Sequence, residues 1–361
     1  MNTRFNAEKT TANFITHRLK CWLSLLGALC IGAGVSFGQN SVDHARTLVS
    51  RLTRTPIAGL VSEGQNATIP LSQTPTIPAG MTRILPSFTF NFGLIDYPRS
   101  QLGQGVGIND GGEVVGGYNG TTLDSFTADH GFRLHGDAYT TVDFPGALQT
   151  ELIGINKKGQ IVGTILDTSF VNHGFKLVNG VFTQLDYPGA DFTVTVGINN
   201  SGTIIGTYAI GAGSSGYLLK NNTYTSISVS GALFTYLSGI NNHGVIVGYY
   251  FDSSNNSHGF TWNNGAITTL DYGNGFPNTY LAGITDAGVI VGGYGSSVTI
   301  NSVEYIWEHG FLYSSGTFST FDAPFGDVAV TQPFGINNKG QIVGGYLDGQ
   351  GMLYGFYAKA Q

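Results

Sequence analysis

Short apolar runs, bounded by glycine and asparagine, recur along most of the chain. One phrase reads GINNKGQIVGGY and spans residues 335–346. Five related phrases precede it: GINDGGEVVGGY, GINKKGQIVGTI, GINNSGTIIGTY, GINNHGVIVGYY and GITDAGVIVGGY. Runs this short that are rich in Val, Ile and Tyr are typical of β-strands rather than helices. We therefore expect an all-β protein built from repeats.

Each phrase predicts a hairpin. Its third residue is Asn in five copies and Thr285 in the remaining one, and a glycine follows three residues later in every copy. An Asx side chain can bond to the backbone of its own tight turn, and glycine adopts the positive φ angle that such a turn demands. The apolar residues on either side then form two antiparallel strands, which we name a and b.

Two more strand patterns follow each hairpin. Strand c opens with HGF in four copies, at His130, His173, His258 and His309, and with SGY or YGF in the other two. Strand d ends in sequences such as VDFPG and LDYPG. The chain stops after its sixth c strand, and the missing d strand lies in residues 90–98, ahead of the first a strand.

These counts predict the fold. The first glycine of the phrase returns after 42 to 52 residues, which suits one four-stranded blade, and the two chain ends complete one blade between them. We expect a six-bladed β-propeller of four-stranded antiparallel blades over residues 87–361, closed by pairing of the N-terminal strand with the C-terminal blade. A β-solenoid is the alternative, but its coils are shorter and need no complementary ends.

The composition supports a folded β domain and limits its partners. The 361 residues include 54 glycines, yet 41% are hydrophobic and 12% aromatic, so the glycines punctuate strands rather than mark a disordered chain. The net charge is −6 with 16 Lys and Arg, which argues against nucleic acid and anionic membrane surfaces as partners. The sequence contains no phosphate loop, nucleophile elbow or clustered His and Cys ligands. We expect a monomer without cofactor or metal.

The N-terminus predicts a secretory signal peptide over residues 1–38. Arg18 and Lys20 precede the apolar run CWLSLLGALCIGAGVSF, and small residues follow it. An uncleaved anchor is the alternative. Both cysteines, Cys21 and Cys30, lie inside this segment, so the mature chain would have no disulfide. Residues 39–86 are expected to be a Pro- and Thr-rich linker with room for one short helix. We therefore predict a secreted protein, extracellular or periplasmic.

The repeated triplets and hairpin phrases resemble the HAF extracellular repeat family, bacterial secreted proteins named for a His-Ala-Phe triplet. The resemblance covers residues 88–361 in six copies, with Gly in place of Ala, as in His130-Gly131-Phe132. It implies secretion and a repeat fold. It implies no activity, because the family carries none that is established.

Alternating strand direction places the a–b and c–d turns of a propeller on one face, which we name the turn face. The b–c loops and the d–a crossings lie on the other, the crossing face, and they vary in length and sequence. Binding sites usually lie in variable loops on a rigid frame. We therefore predict these ligand-binding residues on the crossing face: Tyr97, Arg99, Glu151, Tyr187, Asp191, Tyr236, Tyr272, Tyr280 and Asp327.

Polar residues that recur from repeat to repeat are assigned to the frame instead. The aspartates that end the d strands are expected to cap their own turns through backbone N–H groups. These aspartates are Asp96, Asp143, Asp186, Asp271 and Asp322. The threonines four residues before the first glycine of the phrase are expected to be structural as well. These threonines are Thr150, Thr193, Thr235, Thr279 and Thr331.

The histidines of the c strands do not predict a metal site. Strand c is third from the propeller axis and strands lie about 4.8 Å apart, so these rings are too distant from one another to share one ion. Three of the histidines have an aspartate six residues earlier, at Asp124, Asp167 and Asp252. We expect an Asp–His hydrogen bond that closes each of these b–c loops.

Two functions fit these features. Aromatic, weakly charged loops suit stacking on sugar rings, so our first hypothesis is a secreted or cell-surface propeller that binds a polysaccharide. The alternative is an extracellular glycoside hydrolase or polysaccharide lyase that uses two non-repeated carboxylates, or a Tyr with Arg99. Two non-repeated acids in one pocket would favour the enzyme, and the catalytic residues stay unknown from sequence.

Overall fold

The computed structural model describes residues 90–95, 97, 103–119, 129–211, 213–296, 298–300, 303–305, 308–349 and 353–360. At residues 129, 298–300, 303–305 and 360 only the backbone is described. The predicted signal peptide and linker lie outside these ranges, as do Asp96, Arg99 and Asp124. All regular structure within these ranges is β-strand, and they contain no helix long and apolar enough to cross a membrane.

Three of the six repeats form separate sheets of four antiparallel strands. Repeat 1 contains β2 (Gly103–Ile108), β3 (Val114–Asn119), β4 (Asp129–His135) and β5 (Ala138–Thr141). Repeat 2 contains β6 (Gln149–Ile155), β7 (Ile161–Leu166), β8 (Asn172–Val178) and β9 (Val181–Leu185). Repeat 5 contains β18 (Asn278–Ile284), β19 (Ile290–Gly295), β22 (His309–Ser314) and β23 (Thr317–Phe321). A separate hairpin, β20 (Val298–Ile300) and β21 (Val303–Tyr305), is inserted before β22.

Repeats 3 and 4 share one eight-stranded sheet. Repeat 3 contains β10 (Phe192–Ile198), β11 (Ile204–Ile210), β12 (Gly213–Lys220) and β13 (Thr223–Ile227). Repeat 4 contains β14 (Phe234–Ile240), β15 (Ile246–Phe251), β16 (Ser257–Asn263) and β17 (Ala266–Thr269). Each half is an antiparallel sheet in itself, and one parallel bridge between Ser214 and Phe234 joins the two halves.

The remaining sheet, which we name the closing sheet, is made from both ends of the described chain. It contains β1 (Phe90–Ile95), β24 (Val328–Ile336), β25 (Gln341–Asp348) and β26 (Leu353–Ala360), in the order β1-β26-β25-β24. Strand β1 pairs antiparallel with β26 along its whole length, from Phe90 opposite Ala360 to Ile95 opposite Gly355. The predicted closure is therefore confirmed. The architecture is a β-propeller with four-stranded antiparallel blades.

The asparagine of each phrase links one repeat to the next. Its Oδ1 atom accepts two backbone N–H groups of its own turn, which for Asn156 belong to Lys158 and Gln160, at 3.0 and 3.1 Å. Its Nδ2 atom donates to the backbone carbonyl of the matching residue in the next repeat. Four such bonds of 3.0 to 3.2 Å run in series through Asn109, Asn156, Asn199, Asn241 and Thr285. A fifth, of 2.8 Å from Asn337 to the Asn109 carbonyl, joins the last repeat to the first.

The residue after each asparagine adds a second row of bonds on the turn face. The backbone N–H of Asn200 donates to Asn242 Oδ1, that of Asn242 to Asp286 Oδ1, and that of Asp286 to Asn338 Oδ1, over 2.7 to 2.8 Å. The Asn338 N–H in turn donates to Asp110 Oδ1 at 3.0 Å. Consecutive turns are thus held together by both side chains and backbone.

Threonines fasten the opposite ends of the repeats. Each accepts a hydrogen bond from the backbone N–H that follows the d-strand aspartate or its equivalent, over 2.9 to 3.1 Å. The donors and acceptors are Phe144 to Thr150, Tyr187 to Thr193, Val229 to Thr235, Tyr272 to Thr279, and Ala323 to Thr331. These hydroxyls are buried and fix each d–a crossing to the strand that follows it. The structural role predicted for the threonines is confirmed.

The core lies between the sheets and is built from matching positions of the repeats. The third residue of every HGF-type triplet is fully buried. These residues are Phe132, Phe175, Tyr217, Phe260, Phe311 and Phe356. A close approach of two strands explains the glycine that follows the β-branched pair of the phrase. At Gly248, for example, a Cβ atom would overlap the backbone carbonyl of Tyr236 in the neighbouring strand. The strands approach closely beside the register shift between Leu237 and Gly239.

This close approach predicts the effect of adding one methyl group. We expect Gly248→Ala to lower the free energy of unfolding by about 1–3 kcal/mol, because the backbone of β14 has to move away. Gly213→Ala in β12 is the matched control, since its Cβ would meet nothing within 4 Å and its φ is not positive. Chemical denaturation measures both variants, and equal stabilities would contradict the proposed crowding.

Candidate functional site

A cavity on the crossing face lies at the closing sheet. Its volume is about 210 Å³, and its lining residues are Phe325, Asp327, Tyr346, Asp348, Gly349 and Tyr354. Three segments contribute them: the crossing that leads into β24, the end of β25 and the start of β26. We name this cavity, which lies at the variable loops, the closing-sheet pocket.

Three aromatic rings form a row in the closing-sheet pocket. The ring centroids of Phe325 and Tyr346 are 5.2 Å apart, and those of Tyr346 and Tyr354 are 5.1 Å apart, with interplanar angles of 29° and 21°. Tyr346 is buried, and its burial, with Tyr354 and the negative charge of Asp348 nearby, raises the pKa of its hydroxyl to about 12. Tyr354 has 39% of its surface exposed and offers its ring to solvent.

Two carboxylates line the same pocket. Asp327 is exposed, and its backbone carbonyl accepts a 2.7 Å hydrogen bond from the Gly349 N–H, which joins the crossing to the end of β25. A Cβ atom at position 349 would collide with the Asp327 carboxylate, so the glycine provides the space that this carboxylate occupies. The Tyr354 hydroxyl donates to Asp348 Oδ2 at 3.5 Å. The pocket thus combines negative acceptors with an accessible aromatic surface.

Three of the predicted binding tyrosines belong to the frame. Each stacks on a b-strand tyrosine of the following repeat, with ring centroids 3.6 to 3.7 Å apart. The pairs are Tyr97 with Tyr118, Tyr187 with Tyr208, and Tyr272 with Tyr294. Their rings also pack edge-on against further aromatics of the hydrophobic clusters. The structure therefore places these rings in contacts between repeats rather than on one open aromatic face.

Two further predicted tyrosines are inaccessible. Tyr236 and Tyr280 expose 4% and 3% of their surface, and burial raises the pKa of both hydroxyls. The Tyr280 hydroxyl donates to the Pro333 carbonyl at 2.8 Å and so ties repeat 5 to repeat 6. Surface contact with a ligand is ruled out for both residues in this conformation.

The predicted acids are spread over several repeats. Glu151 lies on β6 opposite Thr164 and is half-buried. Asp191 accepts a 2.7 Å hydrogen bond from the Gly211 N–H and closes a loop of repeat 3. Asp327 alone of the predicted residues lines the closing-sheet pocket, and Arg99 is not among the described residues. Sequence reasoning missed Tyr346, Asp348 and Tyr354. The signal for them was the last triplet, where Tyr354 replaces histidine.

The four d-strand aspartates within the described residues do not cap their own turns as predicted. Each pairs instead with the histidine that opens the adjacent c strand, with Nδ1···O distances of 2.8 to 3.1 Å. The pairs are His130 with Asp143, His173 with Asp186, His258 with Asp271, and His309 with Asp322. The second carboxylate oxygen accepts the backbone N–H after the histidine, as at Gly131 and Gly259. Antiparallel pairing of strands c and d brings these residues together across 13 positions of sequence.

The predicted bond to the aspartate six residues earlier is present but longer. The Nε2 atoms of His173 and His258 lie 3.4 Å from Asp167 and Asp252. Both aspartates also accept backbone N–H groups within their b–c loops. These histidines therefore lie between two carboxylates. Within the described part of the chain, no group of three or more His, Cys, Asp or Glu side chains is placed to hold a metal ion.

In repeat 3 both members of the histidine–aspartate pair are replaced. Ser215 stands at the histidine position, and Ser228 stands at the aspartate position. Both members of the pair are absent together, so neither charge is left without its counterpart. Burial alone would lower the pKa of His173, His258 and His309, but hydrogen bonds and the charges of Asp186, Asp271 and Asp322 raise it above its ordinary value.

Comparisons with known proteins give similarity at the level of fold only. No protein family model matches the chain, and no curated protein sequence does. A gluconolactonase of Xanthomonas campestris is similar in structure, with a TM-score of 0.46 at 11% identity over 77% of this chain and 91% of that one. TolB of Acinetobacter baumannii has a TM-score of 0.48 at 9% identity, over 69% and 63% of the two chains.

A third similar structure is the fungal lectin of Aleuria aurantia, described as a six-bladed β-propeller that recognises fucose. Its TM-score is 0.43 at 13% identity, over 70% of this chain and 89% of the lectin. All three TM-scores are below 0.5, so the fold follows from the strand pairing given above, and the site follows from its own geometry.

The histidine–aspartate pairs predict a pH-dependent stability. A histidine whose pKa is raised on folding contributes stability below its unfolded pKa, near 6.5, and that contribution is lost as the pH rises through the folded value. We expect the melting temperature to fall from about pH 6 upward. Asp271→Asn should weaken this dependence and lower the His258 pKa measured by NMR. Asp137→Asn, in an exposed c–d turn, is the control. A His258 pKa that does not change in Asp271→Asn would contradict the pairing.

Proposed function

We propose that this protein binds a glycan through the closing-sheet pocket. The observation that carries the proposal is the exposed ring of Tyr354 beside the carboxylates of Asp327 and Asp348. Sugar rings present C–H groups on one face and hydroxyl groups around their edge. An aromatic ring packs against the first, and carboxylates accept hydrogen bonds from the second. The pocket offers both kinds of contact within one cavity.

The groups that line the pocket are held in place by contacts within the protein. Phe325 and Tyr346 support Tyr354 from behind, so its ring is held in a row rather than left to rotate freely. The Gly349 N–H bond to Asp327 joins the two loops that carry the acids. A site whose groups are already in place loses less conformational entropy when a ligand binds. Its modest volume of about 210 Å³ suits one sugar unit of a longer chain rather than a large ligand.

We further propose that the domain is a six-bladed propeller and that it is secreted. The single parallel bridge between Ser214 and Phe234 supports counting the eight-stranded sheet as two blades. The bonds that run from Asn109 through four further turns, and from Asn337 back to Asn109, support six units in the ring. Secretion and membership of the HAF extracellular repeat family rest on the sequence features given above. An experimental structure tests the blade number, and N-terminal sequencing of exported protein tests secretion.

A second function, cleavage of the bound glycan, is favoured by one observation. Asp327 and Asp348 line the same pocket, and Asp327 does not recur in the other repeats. Most glycoside hydrolases use two carboxylate residues for catalysis. Incubation with a panel of polysaccharides, followed by a reducing-sugar assay, separates the two functions. Release of reducing ends that is lost in both Asp327→Asn and Asp348→Asn would assign the enzyme.

The glycan proposal predicts a specific loss of affinity. We expect Tyr354→Ala to weaken binding to a retained polysaccharide by about 10-fold or more, because the exposed stacking surface is removed. Val181→Ala, which shortens a 66% exposed side chain on the outer strand of repeat 2, should bind like wild type. Affinity electrophoresis or calorimetry measures both. Equal affinities for the two variants would place the glycan elsewhere.

A further inference from the structure

The two faces of the propeller differ in charge. Seven Lys and Arg residues lie within the described part of the chain, and all occupy the turn face or strand ends that lead to it. They are Arg133, Lys157, Lys158, Lys176, Lys220, Lys339 and Lys359. Of the fifteen acidic residues whose side chains are described, only Asp110, Glu113, Asp137 and Asp286 share that side.

The other eleven described acids lie toward the crossing face. No Lys or Arg of the described residues accompanies them there, and Arg99 falls outside those residues. Six of the eleven lie 2.8 to 3.4 Å from the histidines of the c strands. Asp327 and Asp348 belong to the repeat in which tyrosine replaces that histidine. The pocket therefore opens on the acidic face, at a repeat that lacks the histidine found in four others.

This distribution decides which glycans the face accepts. Like charges within a Debye length of about 8 Å repel one another at physiological ionic strength. The acidic crossing face therefore repels anionic polymers that carry uronate or sulfate groups. A protonated amine is attracted instead. It can form charge-assisted hydrogen bonds with carboxylates, and an aromatic face adds a cation–π contribution. The closing-sheet pocket provides both partners, in Asp327 and Asp348 and in the ring of Tyr354.

We infer that the ligand of the closing-sheet pocket is a glycan with free amino groups, such as a polymer of glucosamine, whose ammonium group lies between the two aspartates while the sugar ring stacks on Tyr354. This inference rests on the proposed glycan binding and narrows it to one ligand class. The aromatic cavity supplies the site, and the charge of the crossing face supplies the selectivity.

Three oligosaccharides of equal length test the inference by calorimetry: a glucosamine oligomer, its fully N-acetylated form and an oligouronate. At low salt we expect the glucosamine oligomer to bind at least about 10-fold more tightly than the acetylated form, and the oligouronate not to bind. This difference should shrink as salt is added, because an ammonium–carboxylate contact is screened. Asp327→Asn should remove most of the difference, because it should weaken binding of the glucosamine oligomer far more than binding of the acetylated form. Asp137→Asn, an exposed acid on the turn face, should leave both affinities unchanged.

The outcomes separate this inference from the function on which it rests. Equal or tighter binding of the acetylated oligomer, with dependence on Tyr354, would overturn the amine preference and keep the glycan site. Tight binding of the oligouronate would overturn it as well. Binding of none of the three would overturn the inference, and absence of binding to the whole polysaccharide panel would refute the glycan function itself. An oligolysine peptide is the remaining control. If it binds in an Asp327-dependent manner and no glycan binds, the pocket binds a cationic peptide and both proposals are wrong.

Discussion

The buried asparagine side chain of the hairpin turn is the contact on which the ring depends. Its oxygen shapes its own turn and its nitrogen holds the next one, so one residue couples local structure to assembly. Aspartate would retain the first role and lose the second, because a carboxylate has no donor. Thr285 keeps the first role, since its Oγ1 atom accepts the Val289 N–H. At that junction the Tyr280 hydroxyl and the Asp286 N–H supply the links to repeat 6.

The candidate site is a small change to a repeated frame. In three repeats a b-strand tyrosine packs beside the c-strand histidine, with ring centroids 5.1 to 5.3 Å apart. The last repeat keeps this geometry at 5.1 Å but has Tyr354 in place of histidine. Phe325 adds a ring 5.2 Å from Tyr346, at a crossing where Ala323 stands in place of the stacking tyrosine of three other crossings. The pocket therefore inherits its rigidity from contacts that exist for folding, and the replaced residue supplies the ligand surface.

The fold was predictable because repetition multiplies a weak local signal, and because the chain ends carry complementary parts of one sheet. Contacts that depend on strand pairing or on a neighbouring repeat were not. Spacing within one repeat favours Asp252 as the partner of His258, whereas strand pairing brings Asp271 closer, at 2.8 rather than 3.4 Å. The stacks of Tyr97, Tyr187 and Tyr272 also join different repeats, so these rings looked like free surface in the sequence. Tyr354 differed from its equivalents in sequence, yet it stood at a position assigned to the frame.

Net charge conceals the most informative electrostatic feature of this molecule. A total of −6 suggests a weakly charged surface, but a sum over the chain carries no information about position. Antiparallel strands return the chain to the same face every few residues. Acidic and basic residues that alternate along the sequence can therefore lie on opposite faces of the propeller. The histidine–aspartate pairs then moderate the acidic face wherever a repeat has both members. In repeat 6 tyrosine replaces the histidine, and Asp327 and Asp348 line the pocket beside it, so an aromatic surface and negative charge lie together.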